Sequence, residues 1–572
     1  MSARESLGSL PEARLAIDAA GRERFEQALV QCDQDLVAAR IWGGDHTLWK
    51  PAPKEIADRL GWLRSPAAMR GESERIRAFV DAVRRDGITS VLLLGMGGSS
   101  LAPEVFTATF GAAPGHPRVS VLDCTDPESV RSAERRFDPA TTLYLVSTKS
   151  GGTVETLSFF KYFYTLAVES LGRLKAGLHL AAITDPGSAL ESLAREADAR
   201  EVFLNDPEVG GRFSALTHFG LVPAALDGVD LGTLLHRAEA MASRCGPGVP
   251  AAANPGVALG ALAGTLALGG RDKLTLVCSG RIAGFGAWVE QLVAESTGKE
   301  GRGILPVDAR GILPSRRHGG DRLFVFLLLE GDREQDGAMA TLAEQGHPVL
   351  EVRLRDPYDL GGEFFRWEFA TAVMGRLLGV NPFDQPDVEL AKVQANRALA
   401  VFRDLGTLPA PPNEILASAE ASAEIARLVD GLPAGGYVAI QAFVDPEELN
   451  AAVTALSEAV AARTDRAVTV GFGPRFLHST GQLHKGGAPG GVFIQLVTAN
   501  PADLMIPDGF HARSGTVGFG VLKAAQSLGD LRALEAAGRR VVRVSLGDAG
   551  PEAARRLEAL ARSLAAVPRA GE

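Results

Sequence analysis

An α/β fold of tandem parallel-sheet units is predicted by three observations in this 572-residue chain. From Ile88 onward, short apolar runs alternate with amphipathic helical stretches, the pattern of parallel sheets covered on both faces. Two of those runs end in glycine- and hydroxyl-rich loops, GMGGSS (95–100) and STKSGGTVET (147–156). The alternation also restarts twice, after the alanine-rich stretch 255–269 and after the proline-rich LPAPPNE (408–414).

Residues 1–88 read as an N-terminal helical segment, with FEQALVQCDQDLVAARIW and ESERIRAFVDAVRRDG as its amphipathic parts. Residues 89–254 follow as a first αβα domain, whose strands are SVLLLGM, VSVLDC, TLYLVST, HLAAITD and EVFLND. A second αβα domain, 255–410, takes KLTLVCS, DRLFVFLLL and PVLEVRL as strands and AGFGAWVEQLVAES as a helix. An additional C-terminal α/β unit, 436–572, alternates YVAIQAFV, AVTVGFG, GVFIQLV and RVVRVSLG with helices and carries the loop GFGPRFLHSTGQLHKGGAPGG (471–491).

The composition, 46% hydrophobic and 22% charged, suits a globular chain with more than one core. A net charge of -10 and the lack of a basic stripe argue against a nucleic-acid partner. Cys32, Cys124, Cys245 and Cys278 lie far apart with no CxxC pair, so neither a zinc site nor a disulfide framework is expected. With no signal-like apolar stretch at the start and no run of eighteen apolar residues, a cytoplasmic location without a membrane partner is the expectation.

The two loops are candidate anion cradles. At the carboxyl ends of parallel strands a crevice opens, and the following helix points backbone N–H groups into it. Glycines 95, 97 and 98 permit close approach, and Ser99, Ser100, Thr148, Ser150 and Thr153 can donate hydroxyl hydrogen bonds to a phosphate. A Walker loop is excluded by the missing Gly-Lys-Ser/Thr ending. A dinucleotide fingerprint lacks its third glycine, where Ser100 stands, although Asp123 closes the next strand as a ribose-binding acid would. Plain tight turns are the remaining reading.

The pairing of GMGGSS with STKSGGTVET resembles the sugar-isomerase (SIS) fold. Three further stretches, VGGRFSALTHFG (209–220), EQLVAESTGKEG (290–301) and NPFDQPDVELAK (381–392), follow in an order similar to the phosphoglucose isomerase (glucose-6-phosphate isomerase) family, over roughly residues 40–400. The chain is most similar to the isomerase part of bacterial transaldolase/phosphoglucose-isomerase fusions, including the C-terminal GPRFLHSTGQLHKGG. A transaldolase barrel needs about 250 residues. Only the helical segment 1–88 precedes the isomerase-like part, so no transaldolase activity is expected.

The resemblance implies two tandem SIS-type domains and a reversible aldose–ketose interconversion of glucose 6-phosphate and fructose 6-phosphate, with ring opening, an enediolate and no cofactor or metal. It assigns the base to Glu295, near the end of a helix whose dipole would tend to raise a carboxylate pKa; read alone, Glu295 is a solvated glutamate. Gln291, one turn earlier, shares its face and can bind a sugar hydroxyl or orient the base. Arg212 takes enediolate stabilisation, against the alternative of a structural ion pair. Lys392 takes ring opening and Gln385 ligand contact. Gly97, Gly98, Ser99, Thr148, Lys149, Ser150, Thr153 and Glu155 complete the substrate-binding set, though an acid such as Glu155 in a first helical turn also suits the dipole. The family pattern has a smaller residue where His218 stands.

Related isomerases present a ring-opening histidine after the base, in a GQH-like segment supplied by the neighbouring subunit, and here that interval holds only His318. His478 and His484 in the C-terminal loop, from the same or a partner subunit, are the candidate replacements; a structural loop is the alternative. Their spacing of six fits no helical zinc pair. The expected partner is thus a hexose 6-phosphate, and the resemblance implies a homodimer. Two other functions stay open: a dual phosphoglucose/phosphomannose isomerase, and a phosphosugar-binding regulator without turnover.

Overall fold

A computed structural model describes residues 13–309, 311–312, 317–510 and 514–568. Fifteen strands among them form three five-stranded sheets. Strand β1 (Ala13–Ala16) comes first. The first unit then contributes β2 (Ser90–Gly95), β3 (Arg118–Leu122), β4 (Thr142–Ser147), β5 (Leu180–Thr184) and β6 (Glu201–Leu204). The second has β7 (Lys273–Cys278), β8 (Leu305–Ala309), β9 (Arg322–Leu329) and β10 (Val349–Leu354). The third has β11 (Glu414–Leu416), β12 (Tyr437–Phe443), β13 (Ala467–Phe472), β14 (Gly491–Ala499) and β15 (Arg540–Asp548).

The sheet orders are β3-β2-β4-β5-β6, β1-β10-β9-β7-β8 and β11-β15-β14-β12-β13. All pairings are parallel except β1 against β10. Each sheet contains the same four-strand core, in which the second, first, third and fourth strands counted from β2, β7 and β12 lie side by side: β3-β2-β4-β5, β8-β7-β9-β10 and β13-β12-β14-β15. The mixed α/β chain with parallel sheets is therefore as expected, and the C-terminal unit repeats the core order of the other two. Central strands such as β2 and β12 are buried along almost their whole length, because helices cover both faces.

Two short strands differ from the sequence reading. Residues 13–16 form a strand rather than part of a helical layer, with Ala13 and Leu15 buried and Arg14 exposed. Four residues of period-two pattern are too few to stand out beside a sixteen-residue helix, Ala19–Gln34. The third sheet also takes in residues 414–416, starting from the last residue of the proline-rich LPAPPNE stretch, which pair with β15.

The third unit has its own apolar core around Val438, Ile440, Ile494 and Val544, yet it is seated on the first through a polar seam. On the helix Phe519–Ala536, Phe519 stacks on Phe159 with ring centroids 5.7 Å apart. One turn on, Lys523 Nζ lies 2.6 Å from the carboxylate of Asp126, both groups being buried. Ser129 Oγ donates to Asp445 at 2.8 Å. Asp126 and Asp445 each cap the helix that begins one residue later, at Pro127 and Pro446, so two helix N-termini meet across the seam.

All four cysteines are free and buried. Among the described residues no helix is long and apolar enough to cross a membrane. The helix Leu360–Leu378 runs almost wholly inside the molecule. It carries Glu368, whose two carboxyl oxygens have no hydrogen-bond partner and whose pKa burial pushes far up.

A carboxyl that is protonated when folded and ionised when unfolded costs stability increasingly as pH rises above its unfolded pKa of about 4.3. Glu368→Gln is expected to raise the melting temperature at pH 8 more than at pH 5, which thermal denaturation across that range checks.

Candidate active site

The first unit supplies two cradles at adjacent strand ends. β2 runs through Met96 into the helix Gly98–Phe110, and the turn requires Gly97 at φ +57°. Gly98 has no room for a side chain, since a Cβ there would stand 2.0 Å from the carbonyl oxygen of Gly211. That contact presses the first cradle against the turn bearing Arg212. β4 leads through the second cradle into the helix Val154–Leu171. There the hydroxyls of Thr148 and Thr153 hydrogen-bond at 2.9 Å, and Ser150 Oγ accepts from the Gly152 N–H at 3.2 Å. Ser99 is buried at the start of its helix, and Ser147 Oγ, also buried, has no partner. Hydroxyls and N–H groups in the two loops are suited to forming an anion site. Lys149 does not face it: its ammonium is engaged by Asp185 and donates to the Pro207 carbonyl at 2.9 Å.

The second unit supplies the helix Phe285–Thr297, which presents Gln291 and Glu295 on one face. Gln291 Nε2 donates to Glu295 Oε2 at 3.2 Å and to the His478 carbonyl at 2.7 Å. Its Oε1 is buried without a partner, an acceptor open to a ligand hydroxyl. Glu295 Oε1 lies 3.1 Å from Arg212 Nη1. Facing the carboxylate is thus a guanidinium; the sequence reading had offered Arg212 as an enediolate stabiliser or as a structural ion pair.

Arg212 itself is 3% exposed and fully engaged. Its Nε donates to Ser296 Oγ at 2.7 Å, Nη1 to Gln385 Oε1 at 2.9 Å, and Nη2 to the carbonyls of Pro382 and Asp384 at 2.7 and 3.0 Å. Gln385 is therefore in the cluster. Lys392, in the first turn of the helix Glu389–Leu405, is exposed and 3.6 Å from Glu389. It stands near enough for its charge to work against protonation of His478.

The third unit completes the cluster. The segment after β13 crosses the first cradle, where a Cβ on Gly97 would come 2.9 Å from the His478 carbonyl oxygen. His478 Nε2 and Glu155 Oε1 are 2.8 Å apart. Burial works against charge on both, but each stabilises the other: Glu155 is held below the usual carboxylate range and His478 above the usual imidazole range. Beyond it, the short helix Gly481–Gly486 packs on the end of the Glu295 helix, with a Cβ on Gly298 falling 2.4 Å from Leu483 Cα. Its Gln482 accepts from the Asp387 N–H at 2.8 Å.

His484 is corrected by the structure: it points away from the cluster. It lies between Phe476 and Phe493 beside Tyr437, with Nδ1 3.2 Å from Gln441 Nε2, and burial drives its pKa well down. His318 packs on Phe324, likewise outside the cluster. Sequence reasoning missed Ser296, Lys299, Asp384 and Gln526. Gln526 donates to Glu155 Oε1 at 2.6 Å from a buried position. Its signal was a polar stripe, Lys523–Gln526–Asp530, on a helix otherwise lined with Leu and Ala.

A carboxylate–guanidinium pair beside two glycine-rich strand-end loops, set between parallel-sheet units, is the arrangement expected of the sugar-isomerase class. The sequence model of the phosphoglucose isomerase family matches residues 65–303. Glucose-6-phosphate isomerase of Rubrobacter xylanophilus is 31% identical over 388 residues, 59% of this chain and 88% of that protein. The one from Thermus thermophilus is 30% identical over 402 residues, 60% and 91% of the two chains. Among solved structures, a hypothetical protein of Thermus thermophilus superposes with a TM-score of 0.58 at 28% identity, covering 68% of this chain and all of that one. A glucose-6-phosphate isomerase of Chlamydia trachomatis shares the fold, with a TM-score of 0.51 at 20% identity and coverage of 69% and 90%. The chain belongs to the phosphoglucose isomerase family.

Because Gly98 touches backbone while Gly152 has open space around it, their alanine variants should part company. Gly98→Ala is expected to cost about 1–3 kcal/mol of stability by overpacking, and Gly152→Ala to stay within about 0.5 kcal/mol, as read by denaturant unfolding.

Proposed function

We propose that this chain interconverts glucose 6-phosphate and fructose 6-phosphate, with every acting group drawn from the one chain. The reading is carried by the contact between His478 and Glu155, which brings a histidine of the third unit beside Glu295, Gln291 and the phosphate cradles. Its relatives of known name, cited above, are glucose-6-phosphate isomerases.

The phosphate of the sugar sits between the 97–99 and 147–153 loops, held by N–H and hydroxyl donors. His478, kept protonated by Glu155, gives its proton to the ring oxygen as the C1–O bond of the cyclic sugar opens, the C1 hydroxyl releasing its own proton to solvent to leave the aldehyde, and exposed Lys392 at the rim assists. Glu295 then takes the proton from C2 of the open-chain aldose, and electrons move onto the C1 carbonyl oxygen to form the enediolate. Arg212, whose N–H donors are all taken by the protein, stabilises that negative charge as a fixed nearby cation in a site where water is excluded. A proton passes from the C2 hydroxyl to the C1 oxygen, and return of the proton from Glu295 to C1 gives the ketose. The unpartnered Oε1 of Gln291 accepts a sugar hydroxyl. The homodimer implied by the family would carry two such sites, each complete within its own chain.

Proton exchange at C1 of fructose 6-phosphate and at C2 of the glucose 6-phosphate formed, in deuterated water, tests the base. Wild type is expected to form labelled glucose 6-phosphate, and Glu295→Gln to be about 10²–10⁴ slower. Tight binding of the sugar phosphate with no exchange by wild type would instead identify a sensor.

For ring opening the sign follows from the direction of the His478 shift. A raised pKa keeps the acid protonated to a higher pH, so turnover of cyclic glucose 6-phosphate falls as pH climbs through that value. Glu155→Gln is expected to move this fall to lower pH, and His478→Asn to depress turnover of the cyclic sugar about 100-fold. Steady-state rates across pH 5–9 read both.

A further inference from the structure

Lys299 follows the Glu295 helix by two residues and is 1% exposed. Its ammonium donates to the carbonyl of Asn381 at 2.6 Å, to the carboxylate of Asp384 at 2.7 Å and to the backbone carbonyl of Asp384. An ammonium has three N–H donors, and here three protein acceptors take them. The Asp384 carbonyl and its neighbour at Pro382 also accept from Arg212. Two cations from different elements therefore grip one segment, 381–385, whose last residue, Gln385, returns a third contact to Arg212.

We propose that Lys299 is a positioning residue for the isomerisation: by clamping the 381–385 segment it fixes Arg212 and, through Arg212, the Glu295 carboxylate. The inference rests on the isomerase reading above. Lys299 has no donor left for substrate, so its contribution passes through Arg212. Loss of the clamp frees the Pro382 and Asp384 carbonyls and so the arginine they hold. A displacement of about 1 Å at a reacting group is enough to cost roughly 100-fold in rate.

The charged groups acting on Lys299 are Arg212 from the 211–213 turn, Asp384 from the clamped segment and Glu295 from the helix. Burial and Arg212 push its pKa down, and Asp384 and Glu295 push it up, the balance lying at about 8. The clamp thus holds its charge below that pH and loses it above.

The test uses the full chain and proton exchange at C1 of fructose 6-phosphate, with melting temperatures measured alongside. Lys299→Met is expected to lower kcat roughly 100-fold with KM within about threefold. Asp384→Asn keeps the volume but removes the carboxylate that favours charge on Lys299. It is expected to move the alkaline decline of kcat to lower pH, and Lys299→Arg, charged throughout this range, to leave only the decline set by His478. Folded variants with wild-type kcat and an unmoved alkaline limb would overturn the proposal. A wild type with no exchange at all would overturn the isomerase reading itself.

Discussion

The seating of the third αβα unit on the first is the constraint from which the geometry of the site follows. At its centre is the buried pair Lys523–Asp126. Removing one partner of such a pair leaves a naked charge inside the protein, at a cost of about 3–5 kcal/mol, whereas the intact pair adds little net stability. Its value is therefore specificity of placement. Around it, Thr125 and Glu155 both meet Gln526, and Ser129 meets Asp445, so that the seam has one polar register. Sliding the unit by a residue would strand several buried polar groups at once.

That register decides where His478 sits. The segment carrying it lies on Gly97, is held by Gln291 and ends in a helix packed on Gly298. Both glycines are positions where a side chain would lift the third unit from its neighbour. In its own unit the crevice at the carboxyl ends of β12 and β14, where open α/β sheets bind ligands, is occupied by residues of the first unit: Cys124 lies near the Val444 carbonyl, and Asp126 reaches Lys523. The third sheet shares the core strand order of the other two, and its customary binding edge has become a docking edge.

Much of this was legible in the sequence because local signals carried it. Continuous apolar runs marked the strands, and the glycine loops marked the cradles. The i, i+4 spacing put Gln291 and Glu295 on one face. The C-terminal loop was recognisable as a source of histidine, but loop spacing could not tell which imidazole faces inward. His478 and His484 are separated by a turn of short helix, and only the packing of Phe476 and Phe493 around the second decides. Lys149 looked like a phosphate ligand until Asp185, 36 residues later, captured it. Lys299 and Asp384 lie 85 residues apart, a pairing that no periodicity reports. The β1 strand was invisible because its partner, β10, comes more than 300 residues later.

The span between Glu155 and His478 is 323 residues, and it sets an order of events during synthesis. Both cradles and the Glu295 helix emerge from the ribosome well before the segment that closes over them, and domains fold broadly as they appear. The nascent chain thus holds a folded but incomplete centre until the third unit is finished and docks. On the isomerase reading, competence arrives only when that unit docks, and a chain interrupted after its second unit would lack His478.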